Sequence, residues 1–72
     1  MKDIVIKTEK IQLDQFLKWA DIVESGGQAG LLIADKKVIV NGDICMVKRK
    51  QLVTGDVIVI KGNGKYRLVG AK

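Results

Sequence analysis

Residues 21–42, DIVESGGQAGLLIADKKVIVNG, carry the reading that decides the fold. Ser25 followed three residues later by Gln28 is a Ser-x-x-Gln capping box, in which two side chains satisfy backbone amides at the start of a helix. Ala29, Leu32 and Ile33 then fall on one face of a short helix. Gly26, Gly27 and Gly30 are poor helix formers, each costing about 1 kcal/mol relative to alanine in a helix interior. In the first turn the cost is smaller, and the glycines leave the backbone bare. Val38-Ile39-Val40 reads as a strand. Asn41-Gly42 is the dipeptide of a tight hairpin, with Asp43 as a candidate to widen it.

Working toward the N-terminus, Leu13, Phe16, Leu17 and Ala20 recur at helical spacing and predict a first helix. Gln12 is a weak cap for it, and Asp14 reads as a first-turn acid. Ile22 and Val23 follow this helix and are expected to pack into the core. Ile4-Val5-Ile6 is a short β-branched run and reads as a strand, with residues 7–10 as a polar connection. Trp19 lies just off the apolar stripe; core packing is expected for it and for Tyr66, although either ring has the chemistry to stack on unpaired bases.

Toward the C-terminus, residues 44–47 are expected to form the returning strand of the hairpin. Residues 48–54 read as a polar connection in which Leu52 and Val53 anchor into the core. Val57-Ile58-Val59-Ile60 is the most apolar run and reads as a central strand. A glycine-rich turn at 61–65 leads into a last strand at 66–69. Helices followed by a run of short strands predict an α+β fold, two short helices packed on a small, curled, mostly antiparallel sheet, as a single domain spanning residues 1–72. A chain of this length buries roughly 60% of the surface its unfolded form exposes, so modest stability is expected.

Charge is distributed unevenly. Residues 1–35 carry a net charge of −2 and residues 36–72 a net charge of +7. A second half so basic suggests a polyanionic partner. The most concentrated run is Lys48-Arg49-Lys50, in which Arg49 offers a planar fork to phosphate oxygens. The plainer reading is a solvated strand edge, where lysine blocks edge pairing. Ser25, Gly26, Gly27 and Gln28 also read in two ways. They form either an ordinary capped helix or an anion site, in which exposed first-turn amides meet a phosphate that glycine allows to come close.

Enzyme chemistry finds little support. The chain has no histidine and one cysteine, Cys45, so neither an ordinary Ser-His or Cys-His pair nor a metal-ligand set is expected. Cys45 falls in a predicted strand without an activating base and reads as a small core residue. The glycines at 62 and 64 belong to a hairpin rather than a phosphate-binding loop. No cofactor, catalytic residue or small-molecule substrate is expected. The N-terminus, MKDIVIKTEK, has an apolar run of only three residues, which reads as neither a signal peptide nor a membrane span. A soluble, cytoplasmic location is the expectation.

Four blocks together resemble the S4 RNA-binding domain family. Leu13-Asp14-Gln15-Phe16-Leu17 is similar to its Arg-Leu-Asp-x-x-Leu block, and Ser25-Gly26-Gly27-Gln28-Ala29 to its Ser-Arg-x-x-Ala block. Val38-Ile39-Val40-Asn41-Gly42 and Gly55-Asp56-Val57-Ile58 are similar to the Val-x-Val-Asn-Gly and Gly-Asp-x-Ile blocks. The Ser-Gly-Gly version resembles very small bacterial S4-like proteins. The resemblance implies non-catalytic binding of structured RNA, ribosomal or transfer RNA, with ribosomal particles as the wider partner and a role in ribosome assembly or translation. Gln12 and Gly26 stand where the family pattern has arginine, Gly30 where a basic residue is common, and Lys36 where glycine is common. The expected RNA-binding set is therefore Ser25, Gly26, Gly27 and Gln28, together with Lys36, Lys37, Lys48, Arg49 and Lys50. The competing expectation is a protein-interaction module with the same fold. A continuous basic face joining the second helix start to residues 48–50 would favour RNA, and an exposed apolar patch would favour protein.

Overall fold

The computed structural model describes residues 1–71. Its elements run β1 (Lys2–Ile6), β2 (Lys10–Gln12), α1 (Leu13–Trp19), α2 (Gly26–Ala34), β3 (Val38–Val40), β4 (Asp43–Ile44), β5 (Gln51–Val53), β6 (Val57–Ile60) and β7 (Gly64–Gly70). Five strands form one sheet in the order β1-β7-β6-β3-β4, and β2 pairs with β5 in a separate antiparallel ribbon. Within the larger sheet only the β1–β7 pairing is parallel. The fold is α+β with a mixed, mostly antiparallel sheet. No helix among the described residues is long and apolar enough to cross a membrane.

The sheet buries one face because its strands alternate. Ile4 and Ile6, Val38 and Val40, Ile58 and Ile60, and Tyr66 and Leu68 all point to the same side. They meet Leu13, Phe16 and Leu17 of α1 and Ala29 and Ile33 of α2. Phe16 and Tyr66 pack edge to face, with centroids 6.2 Å apart and planes at 75°, a geometry that aligns a positive ring edge with a negative face. Leu32 is only partly buried, because Ala29 and Ile33 take the innermost positions of α2. Val23 is buried at the turn between the helices, and Ile22 is partly so.

The hairpin at Asn41-Gly42 is tight. Both residues have positive φ, 51° and 90°, as a two-residue turn matching the strand twist requires. Val40 pairs with Asp43 directly across it, so Asp43 does not widen the loop. The Asn41 side chain then locks this turn to the next one: its Nδ2 donates to Asp56 Oδ1 at 3.0 Å, and the Val57 amide donates to Asn41 Oδ1 at 2.9 Å. Asp56 Oδ2 in turn accepts from the Val53 amide at 2.9 Å. The Asn-Gly and Gly-Asp blocks are thus two halves of one polar clasp holding β3 against β6.

Four local expectations need correction. Lys10, expected in the polar connection 7–10, and residues 51–53, expected in the connection 48–54, belong to strands instead, because residues 10–12 pair with residues 51–53. Leu52 is fully buried as expected, but Val53 is 46% exposed, since successive residues of a strand face opposite ways. The return strand after the hairpin is only Asp43–Ile44. Cys45 lies just past it, with its amide still donating to Val38 O at 2.9 Å and its side chain buried. Trp19 is 58% exposed. Its indole Nε1 donates to Val5 O at 2.8 Å, which satisfies a carbonyl of the edge strand β1 and shields that edge from pairing.

Candidate nucleic-acid interface

The basic run occupies a turn, and its backbone is committed to helix α1. Gln12, the N-cap of α1, makes no side-chain cap bond. The first amides of α1 are satisfied from far along the chain instead. Leu13 N donates to Lys50 O at 2.8 Å and Asp14 N to Lys48 O at 3.0 Å. These bonds extend the β2–β5 ladder by one step, since Gln12 pairs with Gln51 immediately before them. The turn closes on itself through Lys50 N donating to Val47 O at 3.2 Å. With the carbonyls turned inward, the side chains of Lys48, Arg49 and Lys50 are exposed.

Helix α2 starts differently. Ser25 has extended backbone angles, and its Oγ accepts from the Gln28 amide at 3.3 Å. Gln28 Oε1 reaches back to the Glu24 amide at 2.6 Å, one residue earlier than in the usual capping box. The predicted cap is therefore present, and it occupies one oxygen of each of these two side chains. It leaves the amides of Gly26 and Gly27 without an acceptor among the described residues. Neither glycine has positive φ, so both are there without any backbone need for glycine.

The two features meet at Lys48. A methyl carbon placed on Gly26 or on Gly30 would lie 3.9 Å from the Lys48 ammonium nitrogen. Gly26 and Gly30 are four residues apart and so share one face of α2. Their missing side chains form the track along which the lysine lies. Gly30 is not legible in the sequence as part of this arrangement, because the signal is an empty place rather than a functional group. The Lys48 side chain thus links the exposed first turn of α2 to the turn at residues 48–50. A cation there faces the positive end of the helix dipole, an arrangement that favours an anion shared by both.

Lys36 and Lys37 lie elsewhere. They follow the C-terminal end of α2, a helix of nine residues and hence about 13 Å long. Lys36 has φ of 60°, the left-handed conformation that glycine adopts without cost. That explains why glycine suits this position, and it makes lysine here a charge kept in spite of its backbone. The Lys37 carbonyl accepts from the Lys61 amide at 2.9 Å, which sets Lys61 beside this second basic group. The structure therefore brings together Ser25, Gly26, Gly27, Gln28 and the turn at 48–50, and leaves Lys36 and Lys37 at the far end of the same helix.

A family model described as the S4 domain matches residues 4–69. The chain belongs to the S4 domain family. Among curated proteins, this S4 domain is similar to the probable ribosome maturation protein RlbA of Bacillus subtilis (strain 168). The two are 41% identical over 66 residues, covering 92% of this chain and 93% of the relative. Among solved structures, it resembles the 30S ribosomal protein S4e from Thermoplasma acidophilum, with a TM-score of 0.61 and 26% identity. That match covers 85% of this chain and 32% of the ribosomal protein, so the S4 domain corresponds to about a third of it. The family blocks now have structural roles. Leu13, Phe16 and Leu17 are core, Ser25 is a helix cap, and Asn41 with Asp56 is the clasp.

Proposed function

We propose that this S4 domain binds structured RNA, ribosomal RNA in the first place, without catalysing a reaction on it. The observation that carries the reading is the position of the Lys48 ammonium beside the bare first turn of α2, joined through the basic turn to the start of α1. Phosphate groups of an RNA backbone would be held by Lys48, Arg49 and Lys50, with the amides of Gly26 and Gly27 as neutral donors to the same oxygens. Lys36 and Lys37 would meet a second stretch of backbone roughly one helix length away. Such spacing reads the shape of a duplex or junction more than its sequence. Two relatives whose names place them in ribosome maturation and in the small ribosomal subunit support ribosomal over transfer RNA.

Replacing Lys48, Arg49 and Lys50 together with alanine tests the reading. Titration of labelled ribosomal RNA fragments at several salt concentrations should show weaker binding of every fragment by a similar factor. The slope of log affinity against log salt should flatten by roughly 0.7–0.9 for each phosphate that is no longer neutralised. The fold should survive, because these side chains are exposed and the bonds to α1 come from the backbone. Full-strength binding by the folded variant would remove the basic turn from the interface.

A second reading, a protein-interaction module, has one observation in its favour. Trp19, Ile11 and Ile6, with Lys7 and Thr8, line a largely apolar cleft of about 240 Å³ beside the β1 edge. If the wild-type domain binds no structured RNA at low salt, that reading takes precedence.

A further inference from the structure

The geometry points to a seat for one unpaired nucleotide, its base against the exposed side chains of Ile44, Met46 and Val47, its phosphate on Lys50. This inference rests on the RNA-binding reading and adds the element of RNA structure that the domain would prefer. Met46 is 51% exposed and Val47 is 60% exposed, and they immediately precede the basic turn. With Ile44, which is 49% exposed, they put three large apolar side chains around one groove next to the basic turn. With Val40 and the buried Cys45 they line a groove of about 340 Å³, and Asp43 and Lys50 also line it. The volume falls in the range of small-molecule sites.

Charge gives the occupant a polarity. Lys50 belongs to the turn whose partners carry the proposed backbone contacts, so a phosphate belongs at that side. Asp43 repels phosphate and can only accept hydrogen bonds, so an N–H edge of a base or a ribose hydroxyl suits it and a second phosphate does not. A groove whose lining combines exposed apolar side chains with a lysine and a carboxylate matches a nucleotide turned out of a helix. Paired nucleotides cannot enter, because their faces are stacked and their edges are already bonded. The methionine thioether is soft and polarisable and adapts to a flat ring. Asn41, although it borders the groove, is already committed to the clasp with Asp56 and Val57.

The test compares a fully paired RNA hairpin with the same hairpin carrying a single-nucleotide bulge. The wild-type domain and a Met46→Ser, Val47→Ser double variant are titrated with both, and circular dichroism checks that each protein is folded. The wild type should bind the bulged RNA about tenfold more tightly, the gain expected from taking one base face out of water. The double variant should lose that preference while keeping its affinity for the paired hairpin and its salt slope. Equal binding of both hairpins by the wild type would overturn the nucleotide seat and leave the RNA-binding reading standing. Retention of the preference by the folded double variant would also overturn it. Failure of the wild type to bind either hairpin at low salt would remove both readings together.

Discussion

The two helices of this domain begin in opposite ways. Helix α1 has no useful cap of its own, and its first amides are closed by carbonyls of residues 48 and 50, more than thirty positions along the chain. Helix α2 is closed locally by Ser25 and Gln28, and its first two amides stay open. The first arrangement is structural and expends backbone groups of the basic turn on folding. The second leaves backbone donors available. The turn at residues 48–50 serves both starts, with its carbonyls on α1 and the Lys48 side chain over Gly26 and Gly30 of α2. Folding therefore delivers the charges to the helix that has unspent donors.

The sharpest way to break the comparison is to loosen the turn from α1. Leu52 is fully buried and pairs with Ile11 directly behind the turn. Leu52→Ala should destabilise the domain by about 2–5 kcal/mol through reduced burial and the cavity left behind. In amide exchange, Leu13 and Asp14 should lose protection before the interior of α2 does. A melting curve unchanged from wild type would show that β5 does not hold the turn.

A substitution at the open start should act on binding and leave stability alone. Gly26→Glu places a carboxylate next to the Lys48 ammonium, in a first turn where an acid is favourable. No positive φ stands in the way, and the nearest atom lies at ordinary van der Waals distance. RNA affinity should fall about tenfold, equivalent to about 1.4 kcal/mol, with the melting temperature the same or slightly higher. Unchanged RNA affinity in a folded variant would place the interface away from α2.

The smallest effect is expected at the local cap. Ser25→Ala removes the acceptor of the Gln28 amide and should cost about 1 kcal/mol. Exchange should quicken in the first turn of α2 and stay unchanged at Leu13 and Asp14. Equal quickening at both helix starts would mean that the two are coupled and that the contrast between them is false.

What can be read from the chain follows the range of the interactions involved. Ser25 and Gln28 are recognisable as a cap because cap and capped amide lie three residues apart. Asn41-Gly42 is recognisable as a turn because positive φ at both positions selects those residues. Strands β2 and β5 are not readable, being three residues each and partly polar, and existing because residues 10–12 find residues 51–53. Trp19 departs from the core packing expected of it because periodicity reports only how near a residue lies to the apolar stripe. It does not report that an edge carbonyl of Val5 is within reach of the indole. Of the candidate site, the basic turn and the start of α2 are both legible as pieces. Their meeting at Lys48 is not, and neither is the separation of Lys36 and Lys37 from them.

The sequence by itself determined the α+β class, the S4 blocks, the helix cap, the hairpin and the charge imbalance between the two halves. Each of these rests on residue type and on spacings of a few positions, where steric preference and local hydrogen bonding act. Only the tertiary structure decided that the clasp of Asn41 and Asp56 holds two turns together, that the basic turn caps α1, and that Lys48 lies along the glycine face of α2. Those depend on residues fifteen or more positions apart coming together. Burial of the shared apolar core fixes such meetings, and local propensity carries no record of them.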